Sequence, residues 1–144
     1  MASEQIIAYG ATVERSTDGV TYTNIPECKG VAIPGVVQDY PEVTNLDSVD
    51  AFKEYIKGLK DIGEIPIPVG YTAAGYAQQL VDQAAATATY YRVTLRPQPS
   101  QSTGDAFLFR GFPTPTLVDN GLGEPIDMTL TIRGTGALTW VQGS

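Results

Sequence analysis

The chain has 144 residues, with sixteen acidic against nine basic side chains for a net charge of −7, one cysteine and no histidine. This length fits a single domain, 1–144, that buries a core, and the acidic balance argues against a surface that grips nucleic acid phosphates. Because Cys28 is the lone cysteine and histidine is missing, an internal disulfide is excluded, a metal or cofactor site is disfavoured, and we expect no enzyme.

The N-terminal stretch MASEQIIAYG carries neither a positive cluster nor a long apolar block. No apolar run elsewhere in the sequence is long enough to cross a bilayer. We therefore expect no signal peptide and no membrane anchor, and synthesis in the cytoplasm.

The first third of the chain predicts a β-meander. Residues 5–15 precede STDG (16–19), whose Asp-Gly pair favours a tight turn. The following VTYTNI (20–25) has the β-branched and aromatic residues of a return strand. Prolines and glycines then interrupt the chain before the acidic stretch QDYPEVTNLDS (38–48).

From Ser48 the period of the sequence becomes helical. The apolar residues that recur at this spacing are Ala51, Phe52, Tyr55, Ile56 and Leu59, with charged side chains on the other face. Gly58 lies inside the pattern and costs roughly 1 kcal/mol relative to alanine in a helix. Periodicity alone favours a marginal amphipathic helix that covers the protein's own sheet.

From Glu64 the pattern alternates as in a strand, with Ile65, Ile67, Val69 and Tyr71 on one side. Pro66 and Pro68 fall on the opposite side. Because two prolines remove two ladder donors, this strand is predicted at a sheet edge or paired on one side only.

The stretch TAAGYAQQLVDQAAA (72–86) predicts a helix capped by Thr72. Its predicted apolar face consists of Ala73, Tyr76, Ala77, Leu80, Val81 and Ala84. The strands that follow are TATYYRVTLRP, AFLFRGF and PIDMTLTIRGTG, the last ended by Gly134 and Gly136, and then a short ALTWV. Short connections favour antiparallel pairing, so the residues predict a mostly β domain with one flanking helix.

Few side chains suggest a site for chemistry. Asp47 with Asp50, and Asp61 with Glu64, lack the spacing of a calcium loop and are typical of solvated loop charge. GLGEP (121–125) lacks a phosphate-loop lysine and precedes a strand, which indicates a loop. Cys28 is more typical of an idle thiol than of a nucleophile, and Trp140 of a residue packing one end of the chain against the core.

The order of these segments resembles that of the tail tube proteins, or major tail proteins, of long-tailed, non-contractile bacteriophages. The resemblance runs from about Ala11 to Trp140. It is carried by the STDG turn, by VTNLDS with GLKDIGEI (43–65), by the YYRVTL strand, and by FRGF with TIRGTG.

The resemblance implies a mainly β fold, a β-sandwich of two packed antiparallel sheets with one flanking α-helix. It also implies hexameric rings that stack into a hollow tube around a tape-measure protein, with tail tip and tail terminator proteins at the ends. DNA would pass through the lumen without specific binding, and the protein would reside in the virion tail.

In such proteins the segment that matches 44–63 is a long inter-strand loop ordered by a neighbouring ring. The resemblance therefore favours assembly contacts over the helical interpretation, and a segment that folds on binding must not be too stable beforehand. The implied interface consists of Thr44, Leu46, Asp47, Asp50, Phe52, Lys53, Tyr55, Ile56, Lys57, Leu59 and Lys60. The three lysines would meet acidic groups across the joint. Possible lumen-facing residues are Asp39, Glu42 and Asp127.

Two other interpretations stay open. The fold implied by the resemblance is shared with the tube protein of type VI secretion, which is the near alternative. A carbohydrate-binding β-sandwich would use Tyr90, Tyr91 or Trp140 as stacking platforms, but alternation places Tyr90 and Tyr91 on opposite faces.

Overall fold

The computed structural model describes residues 9–44, 52–118 and 121–144. In chain order its elements are β1 (Thr12–Ser16), β2 (Thr23–Asn24), β3 (Val37–Gln38), β4 (Lys60–Asp61), β5 (Glu64–Gly70), α1 (Ala73–Ala84), β6 (Thr89–Thr94), β7 (Ala106–Leu117) and β8 (Asp127–Val141). The prediction of a mainly β chain with one helix is confirmed.

Six strands form one antiparallel sheet in the order β2-β1-β6-β7-β8-β5. The long strands β7 and β8 belong to both halves of this sheet. Residues 127–133 of β8 pair with β5, residues 106–111 of β7 pair with β6, and a bulge between Leu108 and Arg110 lies within the part that pairs with β6. Because a bulge bends its strand, the sheet curls and its halves face each other, so the sandwich is formed by one continuous sheet with strands β3 and β4 outside it.

The core lies between the two halves of the curled sheet. One half contributes Val13, Tyr91, Val93 and Phe109, and the other contributes Ile65, Ile67, Val69, Met128, Leu130 and Ile132. Every second residue of β5, β6 and the first half of β8 is buried, as the alternation in the sequence predicts. Tyr91 stacks on Phe109 with ring centroids 5.7 Å apart.

Strand β5 is the edge strand predicted from its prolines. It pairs with β8 from Glu64↔Arg133 to Gly70↔Asp127, and Pro66 and Pro68 point outward. Its other side receives two hydrogen bonds with the 27–29 loop: Lys29 N donates to Pro68 O, and Gly70 N donates to Glu27 O. The loop thus covers part of an edge that proline alone leaves incomplete.

The helix α1 forms where predicted, and the Thr72 hydroxyl accepts a hydrogen bond from Gly75 N at 3.1 Å. Its predicted inward face is wrong except for Tyr76, which is half-buried against the core. The buried residues are Gly75, Gln79 and Asp82, while Leu80 and Val81 are exposed. The reason is the polar partner opposite: Arg15 of β1 points inward and forms a bidentate ion pair with Asp82, both bonds 2.6 Å long.

Three further expectations need correction. Residues 52–59 contain no helix but an extended strand-like segment. Strand β8 continues through Gly134 and Gly136 to Val141 instead of ending at these glycines. Trp140 is 54% exposed and does not pack one end of the chain into the core.

The turn at STDG is confirmed in its local chemistry. The Asp18 carboxylate accepts hydrogen bonds from Val20 N, Thr21 N and the Ser16 hydroxyl. These donors, led by the amide of Val20, lower the pKa of Asp18 to about 2. The return strand β2 is two residues long and pairs with β1 at Glu14↔Asn24 and Arg15↔Thr23.

Candidate assembly surface

A two-stranded ribbon that we call the arm, residues 36–44 and 52–61, carries eight of the exposed large apolar side chains of the described chain. Its base is the β3–β4 pair, and the ladder continues outward by hydrogen bonds from Asp39 N to Leu59 O, Ile56 N to Pro41 O, and Val43 N to Glu54 O. Glu42 lies opposite Tyr55. The arm is therefore an extended hairpin that lies in the chain between the loop before Val36 and strand β5.

Gly58 produces a bulge in the arm and explains why a helix-breaking residue lies there. Gly58 N and Leu59 O both bond to Asp39, so two residues oppose one. A side-chain carbon on Gly58 would lie 3.0 Å from Asp39 Cβ and 3.0 Å from Pro41 Cδ. The extra residue places Ile56 and Leu59 on the same face of the ribbon, although strict alternation would separate them.

The arm exposes large apolar side chains along its described length. The exposed ones are Val36, Val37, Tyr40, Val43, Phe52, Tyr55, Ile56 and Leu59. Leu59 is 83% exposed and Phe52 is 72% exposed. Scattered exposed apolar residues are common, but a contiguous exposed set on one ribbon is typical of an interaction surface.

Three of the four lysines of the chain, Lys53, Lys57 and Lys60, lie on the second strand of the arm. All three are exposed, and the ion pairs found among residues 9–44, 52–118 and 121–144 involve other cations. Their pairing across a joint between subunits stays a prediction.

At the base of the arm Asp61 ties it to the body. The Asp61 carboxylate accepts a hydrogen bond from Gly63 N at 3.1 Å and forms an ion pair with Arg133 at 3.2 Å. The Gly63 amide and then Arg133 lower the pKa of Asp61. Gly63 has φ of 68°, a conformation that favours glycine and turns the chain from the arm into β5.

The predicted interface residues are thus largely collected on one element. Thr44 accepts a hydrogen bond from Glu54 N at 2.7 Å and closes the described end of the ribbon. Leu46, Asp47 and Asp50 lie outside the described residues.

The three possible lumen-facing residues do not form one group. Asp39 and Glu42 lie on the first strand of the arm, on opposite faces by strand alternation. Asp127 begins β8 at the far end of β5 and forms an ion pair with Lys29 at 2.5 Å. Which residues face a lumen stays a prediction.

Sequence reasoning missed a second exposed apolar group at the β7–β8 turn. It consists of Tyr71, Leu117, Val118, Leu122 and Ile126, and we call it the tip cluster. Tyr71 N donates to Ile126 O, which attaches the turn to the end of β5. The available signal was the apolar Leu122 inside a glycine-rich loop, where apolar side chains have no core to enter.

The outward face of α1 is a third apolar surface. It carries five of the six residues that amphipathicity had placed inside, Ala73, Ala77, Leu80, Val81 and Ala84. The small alanines allow another backbone to approach closely.

The other candidate sites gain little support. Cys28 is half-buried, and burial raises the pKa of its thiol, which opposes activation. Tyr91 is buried and Tyr90 lies on the opposite face, so they form no shared stacking platform. Among the described residues, no group of three or more acidic or cysteine side chains is arranged to hold a metal ion, and no helix is long and apolar enough to span a membrane.

No protein-family description matches this sequence, and no curated protein matches it either. Solved structures do match its fold. A chain in the sheath/tube terminator structure of an extracellular contractile injection system (PVC) is 11% identical over 98% of this chain and 99% of that chain, with a TM-score of 0.74. A chain in the anti-feeding prophage (AFP) tube-terminating cap is 14% identical over 99% and 95%, also with a TM-score of 0.74.

A third match is a chain in the tail of an empty gene transfer agent (GTA) particle, computed with C6 symmetry. It is 15% identical over 90% of this chain and 94% of that chain, with a TM-score of 0.63. At such identities the comparisons show a shared fold over nearly the whole chain. They come from contractile injection systems as well as from a gene transfer agent, so they support a tail-type fold without selecting the non-contractile phages named by the resemblance.

Proposed function

We propose that this protein is a structural subunit of the tube of a phage tail or tail-like particle, acting by assembly and not by catalysis. Copies form hexameric rings, the rings stack into a hollow tube around a tape-measure protein, and tip and terminator proteins close its ends. The subunit is made in the host cytoplasm and resides in the particle.

The observation that carries the proposal is the arm. The two described strands of the ribbon expose eight large apolar side chains. In an isolated subunit these side chains would be in contact with water, which is unfavourable. Burial of such side chains contributes about 25 cal/mol per Å² of apolar surface. A second copy of the subunit supplies the missing cover, and a free edge of a ribbon adds directed hydrogen bonds.

A stacked-ring tube requires two kinds of contact on every subunit. A head-to-tail contact with the right rotation closes a ring, and a second contact repeated along the axis gives an open-ended stack. The described chain offers separate apolar surfaces for this purpose on the arm, the tip cluster and α1. The six-fold symmetry used for the related AFP baseplate and GTA tail structures supports six copies per ring.

Passage of DNA requires a lumen that does not bind it. The net charge of −7 per subunit supports a repulsive wall, because like charge disfavours adsorption of phosphates. A protein-conducting tube of a secretion or injection system is the second candidate, favoured by the fold match to a chain of the PVC sheath-tube complex, with a TM-score of 0.70.

The test is assembly of purified protein, followed by electron microscopy and sedimentation. We expect rings or tubes from the wild type, and loss of assembly in the double variant Phe52→Asp/Ile56→Asp. Both side chains are more than half exposed, so the monomer should stay folded, with its unfolding free energy changed by no more than about 0.5 kcal/mol per site.

The matched control is Phe52→Leu/Ile56→Val, which keeps both positions apolar and should assemble. Thermal melting and circular dichroism report the fold of each variant. Wild-type protein that remains monomeric at high concentration, even with a tail tip as template, would refute the tube proposal. If the aspartate variant unfolds, the arm belongs to the core of its own subunit.

A further inference from the structure

Two arginines on the outward face of the sheet each lie over a tyrosine ring. Arg92 of β6 lies over Tyr22, with its guanidinium carbon 4.2 Å from the ring centroid. Arg110 of β7 lies over Tyr90, its cross-strand partner on β6, at 5.6 Å. Both separations are within the roughly 6 Å at which a cation is attracted to the face of an aromatic ring.

The first of these pairs is completed by a carboxylate. Glu14 of β1, which lies opposite Arg92 in the ladder, accepts hydrogen bonds from Arg92 Nε at 3.1 Å and from Arg92 Nη2 at 2.9 Å. The ring beneath the guanidinium and the bidentate ion pair together hold the arginine in one geometry. Tyr22, Arg92 and Glu14 therefore form a complete triad.

The second pair has the same first two members but no carboxylate. Arg110 is exposed, and none of the ion pairs in the part of the chain that the structure describes includes it. Two acidic side chains on this side of the sheet have other partners: Glu14 binds Arg92, and Asp18 accepts hydrogen bonds from amides of its own turn. The guanidinium of Arg110 thus has donors open to a carboxylate from outside the chain.

The backbone beside Arg110 leaves room for such a group. Between the pairs Leu108↔Thr139 and Arg110↔Thr135, one residue of β7 lies opposite three residues of β8. Within this bulge Gly136 has φ of 81°, and a side-chain carbon there would lie 3.2 Å from Arg110 Nη2. Because glycine adopts this conformation without strain and adds no side chain, a groove of about 370 Å³ stays open, bounded by Gly19, Tyr22, Tyr90, Arg110, Ala137 and Thr139.

The charges favour a carboxylate of a second copy over a nucleic acid phosphate. Nucleic acid binding needs clustered cations, whereas Arg92 beside the groove is already paired with Glu14. Every copy of the subunit has seven more acidic than basic side chains. A second copy therefore brings carboxylates for which its own chain has no cation.

We propose that Arg110 binds a carboxylate of a neighbouring copy. Tyr90, Arg110 and this carboxylate form a second triad, assembled between subunits and built like the one that Tyr22, Arg92 and Glu14 form within a subunit. This inference rests on the proposed function and makes the outward face of β6 and β7 part of a subunit interface. The ion pair fixes the relative orientation of the two copies.

The experiment identifies the carboxylate by zero-length crosslinking. A carbodiimide joins a lysine amine to a carboxylate in contact with it and does not join an arginine. Isotope-labelled Arg110→Lys is assembled with an excess of unlabelled wild type, which keeps most contacts intact. We expect a crosslinked peptide that joins residue 110 of a labelled copy to an acidic residue of an unlabelled copy, in tubes and not in monomers. Arg92→Lys is the matched control, because its crosslink to Glu14 should form within one copy in both states.

A second measurement uses the protein concentration at which tubes form. Arg110→Gln should raise this threshold by about tenfold or more, because it leaves the carboxylate of the neighbouring copy without its partner in a desolvated contact. Arg96→Gln removes the same charge from another exposed arginine, one that lies over no described ring, and should change the threshold by no more than about two-fold. Circular dichroism reports the fold of each variant.

Tubes in which residue 110 forms no crosslink, or only one within its own copy, overturn this inference and leave the tube proposal intact. A threshold for Arg110→Gln equal to that of the wild type also overturns it. Wild-type protein that never assembles overturns both proposals.

Discussion

The residue that most changes the interpretation of the helix is Arg15. A guanidinium in β1 points toward the core and pairs with Asp82 on α1, with side chains only 10% and 2% exposed. Gln78 donates a further hydrogen bond to Asp82 at 3.2 Å. Because the pair needs α1 to present Asp82 inward, the apolar side chains on the other face are turned toward solvent.

Removal of one member of this pair leaves a buried charge without compensation. We expect Asp82→Ala to lower the free energy of unfolding by about 3–5 kcal/mol. The double variant Arg15→Met/Asp82→Leu replaces both charges by apolar groups of similar size and should lose much less. Urea denaturation of the monomer measures both values. If the double variant is as unstable as Asp82→Ala, the pair contributes more than charge compensation.

At the scale of elements, the arm shows how one sequence supports two periods. Residues 51–59 place apolar side chains at helical spacing, yet residues 52–59 form a strand of the ribbon. Gly58 disfavours a helix here by roughly 1 kcal/mol, and pairing with residues 39–43 satisfies backbone groups of the extended segment. The bulge at Gly58 then shifts the side chains so that a non-alternating sequence still gives an apolar face.

Gly58→Ala distinguishes the two elements. In a helix the change would be stabilising by about 1 kcal/mol. In the ribbon the added carbon meets Asp39 and Pro41 at 3.0 Å, so pairing at the bulge should weaken. We expect faster hydrogen exchange at the amides of Asp39 and Gly58, no gain of helical circular dichroism, and an unchanged melting temperature of the body. Slower exchange at these amides would contradict the ribbon.

At the scale of the whole molecule, the proposed assembly would bring together subunits that each carry a net charge of −7. Their mutual repulsion would oppose the proposed apolar contacts between subunits. Exposed ion pairs at the rim contribute only about 0–1 kcal/mol each, so screening of the net repulsion should outweigh the loss of these pairs. The sign of the salt effect follows from this comparison.

We expect the critical concentration for tube formation to fall as NaCl rises from 0.05 M to about 1 M, where the screening length shrinks to about 3 Å. Ammonium sulfate should lower it further because it strengthens apolar burial. Light scattering at a series of protein concentrations measures the threshold. A threshold that rises with salt would show that lysine–carboxylate pairs dominate the contact.

The sequence by itself determined the elements whose side chains alternate or repeat against a single core. Burial follows the local period of the sequence, so the sequence predicted the strands β5, β6 and the first half of β8. It also predicted the edge position implied by Pro66 and Pro68 and the Thr72 cap of α1. The predicted interface residues also fall together on one arm as far as they are described.

Only the tertiary structure decided which face of α1 is buried, that residues 52–59 pair with 39–43, and that an apolar tip cluster lies at the far end of β5. Each depends on a partner distant in the chain: Arg15 for the helix, Asp39 for the arm, and the end of β5 for the tip. The local period of a segment shows which secondary structure would bury its apolar side chains. Long-range pairing determines which part of the chain packs against that segment.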